Sequence, residues 1–122
     1  MLLIAATLLC TPVAVDGDTL RCGHERIRLL GIDAPEMPGH CRKGRHCVTG
    51  DPWRSKASMV RLLKAGPYRI ERVGKDRYGR TLATVSSAGV DLSCAQIRAS
   101  SAVYVEKWDD GHRVAAICSP KP

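Results

Sequence analysis

Five short segments of alternating or mostly apolar residues predict β-strands in this chain. Between the first two lies Asp16-Gly17, a dipeptide that favours a two-residue hairpin turn and therefore an antiparallel strand pair. Pro35 ends the third strand soon after it, because proline cannot donate to a strand ladder. The predicted strands cover residues 13–15, 19–22, 26–30, 68–73 and 80–85.

Two further segments predict helices. Asp51-Pro52 places a favoured N-cap before a proline at the first helical position, and Gly66-Pro67 ends this helix. The second helix is predicted over residues 91–99, where apolar side chains recur at helical spacing. The order of three strands, a helix, two strands and a helix predicts an α+β domain, built on a five-stranded antiparallel Greek-key barrel of the OB type.

The C-terminal part of the chain has a weaker pattern. After residues 103–104 the periodicity is lost, and Asp109-Asp110-Gly111 interrupts any helix there. A helix at this end is therefore expected to be short or missing, which leaves two or three helices in all.

The composition limits the classes of protein to which the chain can belong. Its 122 residues, of which 44% are hydrophobic, predict one folded domain, which we place at residues 10–122. No segment approaches the roughly 18 consecutive apolar residues of a transmembrane helix, so no membrane association is expected. The net charge of +7 favours a polyanionic partner, while the scarcity of aromatic residues argues against a long stacking platform for single strands.

The first nine residues and the six cysteines bear on the compartment. Residues 1–9 are apolar and uncharged, as in the central region of a secretory signal, but a basic start and an Ala-x-Ala cleavage site are lacking. The alternative is a hydrophobic lead-in to the first strand. Six cysteines in so short a chain are typical of an oxidising compartment, so we predict a secreted or periplasmic protein.

Six cysteines allow many disulfide pairings. Cys41 and Cys47 bracket a short basic loop whose glycine lets it turn. Cys10 and Cys22 flank the Asp16-Gly17 turn, although a regular two-residue hairpin would need a bulge for this bridge. The candidate disulfides are therefore Cys41–Cys47, Cys10–Cys22 and, as the remaining pair, Cys94–Cys118.

A zinc site is the alternative for the cluster of His40, Cys41, His46 and Cys47. Imidazole and thiolate are the usual zinc ligands, but within a zinc knuckle they lie about two to four residues apart. Here five residues separate the two cysteines. The spacing therefore favours the disulfide over the metal.

Three polar motifs, at residues 16–19, 28–36 and 76–80, contain the candidate chemistry. In this order and with these flanking residues, they resemble the staphylococcal nuclease (thermonuclease-like) family over about residues 12–104. The resemblance implies an OB-fold barrel and a Ca²⁺-dependent nuclease that hydrolyses phosphodiester bonds of DNA and RNA with low sequence specificity. It also implies attack by water that leaves a 5′-hydroxyl and a 3′-phosphate.

The acidic residues of the first two motifs are suited to a hard divalent cation. Asp18 and Asp33 offer carboxylate oxygens, which suit Ca²⁺ or Mg²⁺ and bind zinc poorly without His or Cys. Ala34 can contribute only its backbone carbonyl, which Pro35 helps to orient. The resemblance implies that Asp18, Asp33 and the Ala34 carbonyl hold Ca²⁺ and leave positions open for water and phosphate.

The candidate catalytic residues are Glu36, Arg28 and Arg80. The resemblance assigns Glu36 the general-base or water-orienting role, against the alternative of a surface carboxylate that caps its loop. Arg28 is expected on the outward side of its strand, and Arg80 follows a glycine turn. A guanidinium matches the geometry of a phosphate, and the resemblance implies that these two arginines clamp the scissile phosphate.

Arg77 and Tyr78 match positions that contact a terminal phosphate of the nucleotide in this family. The alternative for Tyr78 is a turn residue that covers the barrel. The sequence departs from the family pattern at the cysteine-bracketed segment 40–50, which resembles an insertion close to the site, and at Ser100, which replaces a glycine.

Two rival functions remain. One is a non-catalytic OB-fold module that only binds nucleic acid. The other is a disulfide-stapled or zinc-bound structural domain whose positive charge is incidental. Such binding modules usually lack the acidic ligands, whereas here the acids and both arginines are present. We therefore expect a nuclease, acting as a monomer on DNA and RNA with Ca²⁺ as its cofactor.

Overall fold

The computed structural model of the protein describes residues 10–118. The segment 1–9, predicted as a signal or a lead-in strand, lies outside the described residues. Within them the strands are β1 Val13–Ala14, β2 Thr19–Cys22, β3 Glu25–Leu29, β4 Ile32–Asp33, β5 Tyr68–Lys75, β6 Thr81–Ser87, β7 Val90–Asp91 and β8 Val103–Tyr104. The helices are α1 Pro52–Leu63, α2 Leu92–Arg98 and α3 Arg113–Cys118, with 3₁₀ turns at Glu106–Trp108 and Asp110–His112.

The main sheet has the strand order β1-β2-β3-β6-β5, with β7 paired to β6, and β4 pairs with β8 in a small second sheet. The predicted α+β class is confirmed, and each of the five predicted strands has a counterpart. Among residues 10–118, β1 and β5 stand at the two ends of this order. Closure of the sheet into a barrel therefore stays a prediction.

The expectation that all five strands are antiparallel is wrong at one place, because β3 pairs with β6 in parallel. Ile27 is opposite Thr81 and Leu29 is opposite Ala83. A parallel pair needs a long crossover connection, and α1 and β5 lie in the segment between these two strands. Hairpin signals report only on strands adjacent in sequence, so they could not reveal this pairing.

The turn at Asp16-Gly17 is also longer than the predicted two-residue hairpin. The amide of Val15 donates to the carbonyl of Thr19 at 2.8 Å, which leaves three residues in the turn. The Asp16 carboxylate accepts from the amide of Asp18 at 3.0 Å, a local bond that competes with the tighter turn. This longer turn sets the position of Asp18, its last residue, directly before β2.

Helix packing holds the same turn from the other side. A Cβ at Gly17 would collide with the side chain of Ser55 in α1, so only glycine allows this approach. The fully buried Gln96 of α2 donates to the carbonyls of Gly17 at 2.9 Å and Ser55 at 3.1 Å, and it accepts from Ser58 at 2.6 Å. Gln96 therefore joins the turn to α2 directly and to α1 through Ser55 and Ser58, in buried hydrogen bonds.

The apolar core lies between the sheet and the helices. Asp51 caps α1 as predicted, whereas Asp91, predicted as the first residue of the second helix, is its N-cap. Both carboxylates accept hydrogen bonds from first-turn amides. The core residues come from strands, from both of these helices and from the β4 segment: Leu20, Ile27, Leu29, Ile32, Met59, Val85 and Leu92.

The C-terminal helix is short, which was one of the two expected outcomes. Gly111 has a positive φ of 69° and interrupts the helical path, as predicted for this segment. Asp109, however, also starts the next helix, because its carboxylate accepts from the amides of Val114 and Ala115, each at 2.9 Å. The hydroxyl of Tyr104 donates to the same carboxylate at 2.7 Å. Asp109, which belongs to the segment predicted to interrupt a helix, therefore binds the first turn of α3.

All six cysteines are paired, and the pairs are the predicted ones. Cys10–Cys22 spans the first two strands, and Cys94–Cys118 ties α3 to α2. Cys41–Cys47 closes the basic loop, with 6.2 Å between the two Cα atoms. Because both sulfurs of this loop are in a disulfide, they are not available for the alternative zinc site.

Ser100 occupies a left-handed conformation, with φ 58°, just after α2. A side chain costs free energy there and glycine does not, so Ser100→Gly should stabilise the fold by about 1 kcal/mol. Urea denaturation checks this. The matched control is Ala99→Gly, because Ala99 has an ordinary φ of −81° and gains nothing from the replacement. Equal effects at the two positions would contradict the explanation.

Candidate active site

One buried group brings together Asp18 from the turn before β2, Arg28 from β3 and Asp33 from β4. Nη1 of Arg28 lies 3.3 Å from an oxygen of Asp18, and Nη2 lies 3.7 Å from an oxygen of Asp33. Each of the three side chains is at most 10% exposed. The structure therefore brings together the first two motifs, as their resemblance to the family implies.

Arg28 differs from the prediction in one respect. It alternates with the core residues Ile27 and Leu29 on β3, as expected, but it does not face solvent. Its guanidinium carbon lies 5.4 Å from the ring centre of Trp108, a residue of the C-terminal segment. The two carboxylates and the Trp108 ring shield the Arg28 guanidinium from solvent. The alternation of residues along a strand does not show that residues from elsewhere in the chain will bury a side chain.

The carboxylates carry more negative charge than the arginine offsets. Burial, and after it the charge of Asp18, raises the pKa of Asp16 to about 7. Burial also raises the pKa of Asp33, although the charges of Arg45 and Arg28 oppose this shift. Asp18 is held by hydrogen bonds from the amide of Ala34 at 2.8 Å and the hydroxyl of Thr19 at 3.1 Å. An additional cation would lower the free energy of this group.

The donor set fits a hard divalent cation. Asp18 and Asp33 supply carboxylate oxygens, and Ala34, which offers its carbonyl, directly follows Asp33 in the chain. Within residues 10–118, no group of three or more His, Cys, Asp or Glu side chains is arranged to hold a metal ion. Water and substrate oxygens would therefore complete the shell, which is usual for Mg²⁺ and common for Ca²⁺.

Glu36 is connected to this group through Arg45, a residue that the sequence reasoning missed. Nη1 of Arg45 lies 2.9 Å from an oxygen of Glu36, and Nη2 lies 3.2 and 3.1 Å from the two oxygens of Asp33. The only signal in the sequence was the basic loop between Cys41 and Cys47. That pattern does not show which of its cations turns inward.

Arg80 lies in a second group of residues, at the turn between β5 and β6. Its Nε donates to the carboxylate of Asp76 at 2.7 Å, and the amides of Tyr78 and Arg80 each donate to the same carboxylate at 2.9 Å. Burial opposes the effect, but these hydrogen bonds lower the pKa of Asp76 overall. The turn thus holds the guanidinium of Arg80 in a defined direction.

Tyr78 is the centre of the second group. It is 50% exposed, so its ring is not packed into the apolar core. Its hydroxyl accepts hydrogen bonds from Arg42 at 2.8 Å and Arg77 at 3.1 Å, which lower its pKa. The guanidinium carbons of Arg42, Arg77 and Arg80 lie 5.1–5.6 Å from its ring centre. Three cations around one exposed ring form a surface suited to an anion.

Residues 10–118 form a small α+β domain in which buried acids lie beside guanidinium groups. A family model described as Staphylococcal nuclease homologue matches residues 26–117. The chain therefore belongs to the staphylococcal nuclease family, and the resemblance inferred from the three motifs is confirmed.

Curated relatives support the same membership. The chain is 35% identical over 91 residues to a succinoglycan biosynthesis protein, ExoI, of Rhizobium meliloti, covering 73% of this chain and 48% of the relative. It is 40% identical over 75 residues to an uncharacterized endonuclease of Haemophilus influenzae, covering 57% and 36%. It is 38% identical over 60 residues to the probable endonuclease LCL3 of Paracoccidioides brasiliensis, covering 48% and 16%. The chain thus spans about half or less of the length of these relatives.

Within residues 10–118, none of the helices has the length and apolar character needed to cross a bilayer.

The buried group predicts a large, pH-dependent cost for removing its arginine. Arg28→Gln should lower the free energy of unfolding at pH 7 by about 3 kcal/mol, because it leaves two buried carboxylates without their shared partner. The loss should shrink as pH falls, since a carboxyl with a raised pKa, such as Asp33, regains stability on protonation. Urea denaturation at pH 7 and pH 4.5 measures both effects.

The control for this variant is Arg26→Gln, on the same strand but exposed. Its free energy of unfolding should stay within about 0.5 kcal/mol of the parent protein. If Arg28→Gln were as mild as Arg26→Gln at pH 7, the buried charge group would not be a determinant of stability.

Proposed function

We propose that this protein is a Ca²⁺-dependent nuclease that hydrolyses phosphodiester bonds of DNA and RNA with low sequence specificity. The observation that carries the proposal is the buried group in which Asp18 and Asp33 share Arg28. Such a group offers cation ligands and a phosphate ligand in one place. Membership of the staphylococcal nuclease family and two relatives with endonuclease in their names support it.

In the proposed mechanism, Asp18, Asp33 and the Ala34 carbonyl would hold Ca²⁺. When bound, the ion would supply positive charge that offsets the negative charge of the phosphate. Arg28, already desolvated between the two carboxylates, donates hydrogen bonds to the same oxygens. Its contribution grows as negative charge develops in the transition state, because a buried guanidinium interacts more strongly than a solvated one.

Arg80 and Glu36 complete the proposed chemistry. Asp76 holds Arg80 in place, which reduces the entropy lost when its guanidinium binds a phosphate. Glu36 is partly exposed, so water can reach its carboxylate, and it orients the attacking water or accepts its proton. The products would be a 5′-hydroxyl and a 3′-phosphate.

Arg77 and Tyr78 are proposed to bind a terminal phosphate of the substrate. Their support is the exposed tyrosine ring with guanidinium groups around it. All of these contacts reach phosphates and none reads a base edge, which accords with low sequence specificity. We further propose that the protein acts as a monomer and is secreted or periplasmic, since three disulfides are typical of an oxidising compartment.

One observation favours a second candidate, a nucleic-acid-binding module without catalysis. Arg45 neutralises Asp33 and Glu36 in the structure, as it would in a domain that no longer uses these acids for a cation. The positive net charge would then be sufficient for binding.

A cleavage assay distinguishes the two candidates. Single-stranded DNA incubated with the protein and Ca²⁺ should be cut into products with 5′-hydroxyl and 3′-phosphate ends, and calcium chelation should abolish cutting. Zn²⁺ should not restore activity, because the proposed ligands are hard oxygens. Product ends are identified by kinase labelling and electrophoresis. Full activity in chelator would contradict the metal site, and a mobility shift without cutting would indicate the binding module.

Arg80→Ala should lower kcat by a factor of about 10² to 10³, because a preoriented donor to the transition state is lost. The fold should survive, since the arginine side chain is partly exposed at a turn. Steady-state rates on single-stranded DNA measure the effect. Arg69→Ala is the matched control, as Arg69 lies on the surface of β5 away from this turn. Undiminished kcat in Arg80→Ala would remove Arg80 from the mechanism.

A further inference from the structure

The loop closed by Cys41–Cys47 is mostly exposed, yet one of its side chains turns into the acidic group. Within the loop, the amide of Arg45 donates to the carbonyl of Arg42 at 2.9 Å, and Gly44 has a positive φ of 85°. This tight turn and the disulfide restrict the backbone from which the Arg45 side chain extends. The guanidinium is therefore held near the acids by a short covalent loop.

Arg45 uses both of its terminal nitrogens on carboxylates. Nη2 lies within 3.2 Å of both oxygens of Asp33, and Nη1 lies 2.9 Å from Glu36. Arg28 approaches the same Asp33 less closely, at 3.7 Å. Arg45 is thus the main cationic partner of Asp33 in the structure.

The same oxygens of Asp33 are the ones needed by a divalent cation. A cation bound to Asp33 would lie within a few ångströms of the guanidinium, where two positive charges repel each other strongly in a partly buried site. The Arg45 side chain is 36% exposed, so it has room to move outward while the loop stays closed. The two cations therefore compete for one carboxylate.

We propose that Arg45 is a tethered counter-ion that occupies Asp33 and Glu36 in the cation-free protein and must leave Asp33 when a divalent cation binds, so that it sets the cation affinity. This inference rests on the proposed function, in that it takes Asp18 and Asp33 as the cation ligands. It assigns a role in cation binding to a residue outside the three motifs. It also explains why a basic loop is closed by a disulfide beside an acidic site.

The alternative is that Arg45 positions the two acids for the cation, and this alternative predicts the opposite change in cation affinity. If Arg45 positioned Asp33 and Glu36 for the cation, its removal would weaken cation binding. If it competes, its removal strengthens binding. The sign of the change in affinity therefore decides the question.

The experiment measures cation binding to the full chain without nucleic acid. Ca²⁺ affinity is determined by isothermal titration calorimetry, and Tb³⁺ is used as a luminescent substitute. Trp108, whose ring lies 5.9 Å from the guanidinium carbon of Arg45, is placed to sensitise the Tb³⁺ emission. Arg45→Ala should bind both ions about tenfold to a hundredfold more tightly than the parent protein, since a charge-assisted interaction no longer has to be broken.

Three further variants make the test specific. Arg42→Ala lies in the same loop but contacts Tyr78, so its cation affinity should be unchanged. Arg45→Lys keeps the charge without the two-pronged contact and should give an intermediate affinity. Adding Asp33→Asn to Arg45→Ala should abolish the tight binding, which places the ion at Asp33.

A double variant, Cys41→Ser with Cys47→Ser, tests the tether independently of the arginine. It should also tighten binding, because the loop no longer holds the guanidinium near Asp33. This variant provides the measurement if Arg45→Ala does not fold, which circular dichroism would show.

The outcomes separate the inference from the proposed function. Equal or weaker binding by Arg45→Ala, with clear binding by the parent protein, overturns the role of Arg45 and leaves the metal site intact. No binding of Ca²⁺ or Tb³⁺ by either protein overturns both the inference and the calcium requirement. Tighter binding by Arg45→Ala together with loss in the Asp33→Asn combination supports both.

Discussion

Two carboxylates, Asp18 and Asp33, are removed from water next to a single buried guanidinium, Arg28. Burying charge is costly unless it is paired and hydrogen-bonded, and one arginine does not balance two acids with Asp16 close by. Several neighbouring groups stabilise this excess of negative charge. The amide of Ala34 and the hydroxyl of Thr19 bind Asp18, and Arg45 binds Asp33 from outside the strands.

The rigidity of the neighbouring elements makes this arrangement possible. Gly17 allows α1 to approach the turn that contains Asp18, and Gln96 bonds the same turn to α2 in a fully buried contact. These contacts leave the acids little freedom to move apart and relieve their repulsion. Carboxylates that repel each other but are held in fixed positions are suited to bind an additional cation. The protein would not have to reorganise these ligands when the ion binds.

The Cys41–Cys47 loop connects the two groups of functional residues. Arg45 contacts the acidic group, while Arg42 of the same loop contacts Tyr78 beside Arg77 and Arg80. The loop therefore forms a wall shared by the proposed cation site and the proposed phosphate surface. Trp108, from the C-terminal segment, lies against both Arg28 and Arg45, so that this segment also contributes to the site.

Several local features were predictable from the amino-acid sequence: the five main strands, the cap at Asp51, three candidate cysteine pairs and the motifs of the staphylococcal nuclease family. These depend on turn chemistry, periodicity and motifs, which operate over short spans of chain. The tertiary structure alone decided the parallel pairing of β3 with β6, the burial of Arg28 under Trp108 and the inward direction of Arg45. Each of these features involves residues that are distant in sequence, or depends on which of several similar basic residues reaches the site. Both depend on which surfaces come into contact when the chain packs, and local sequence patterns do not contain that information.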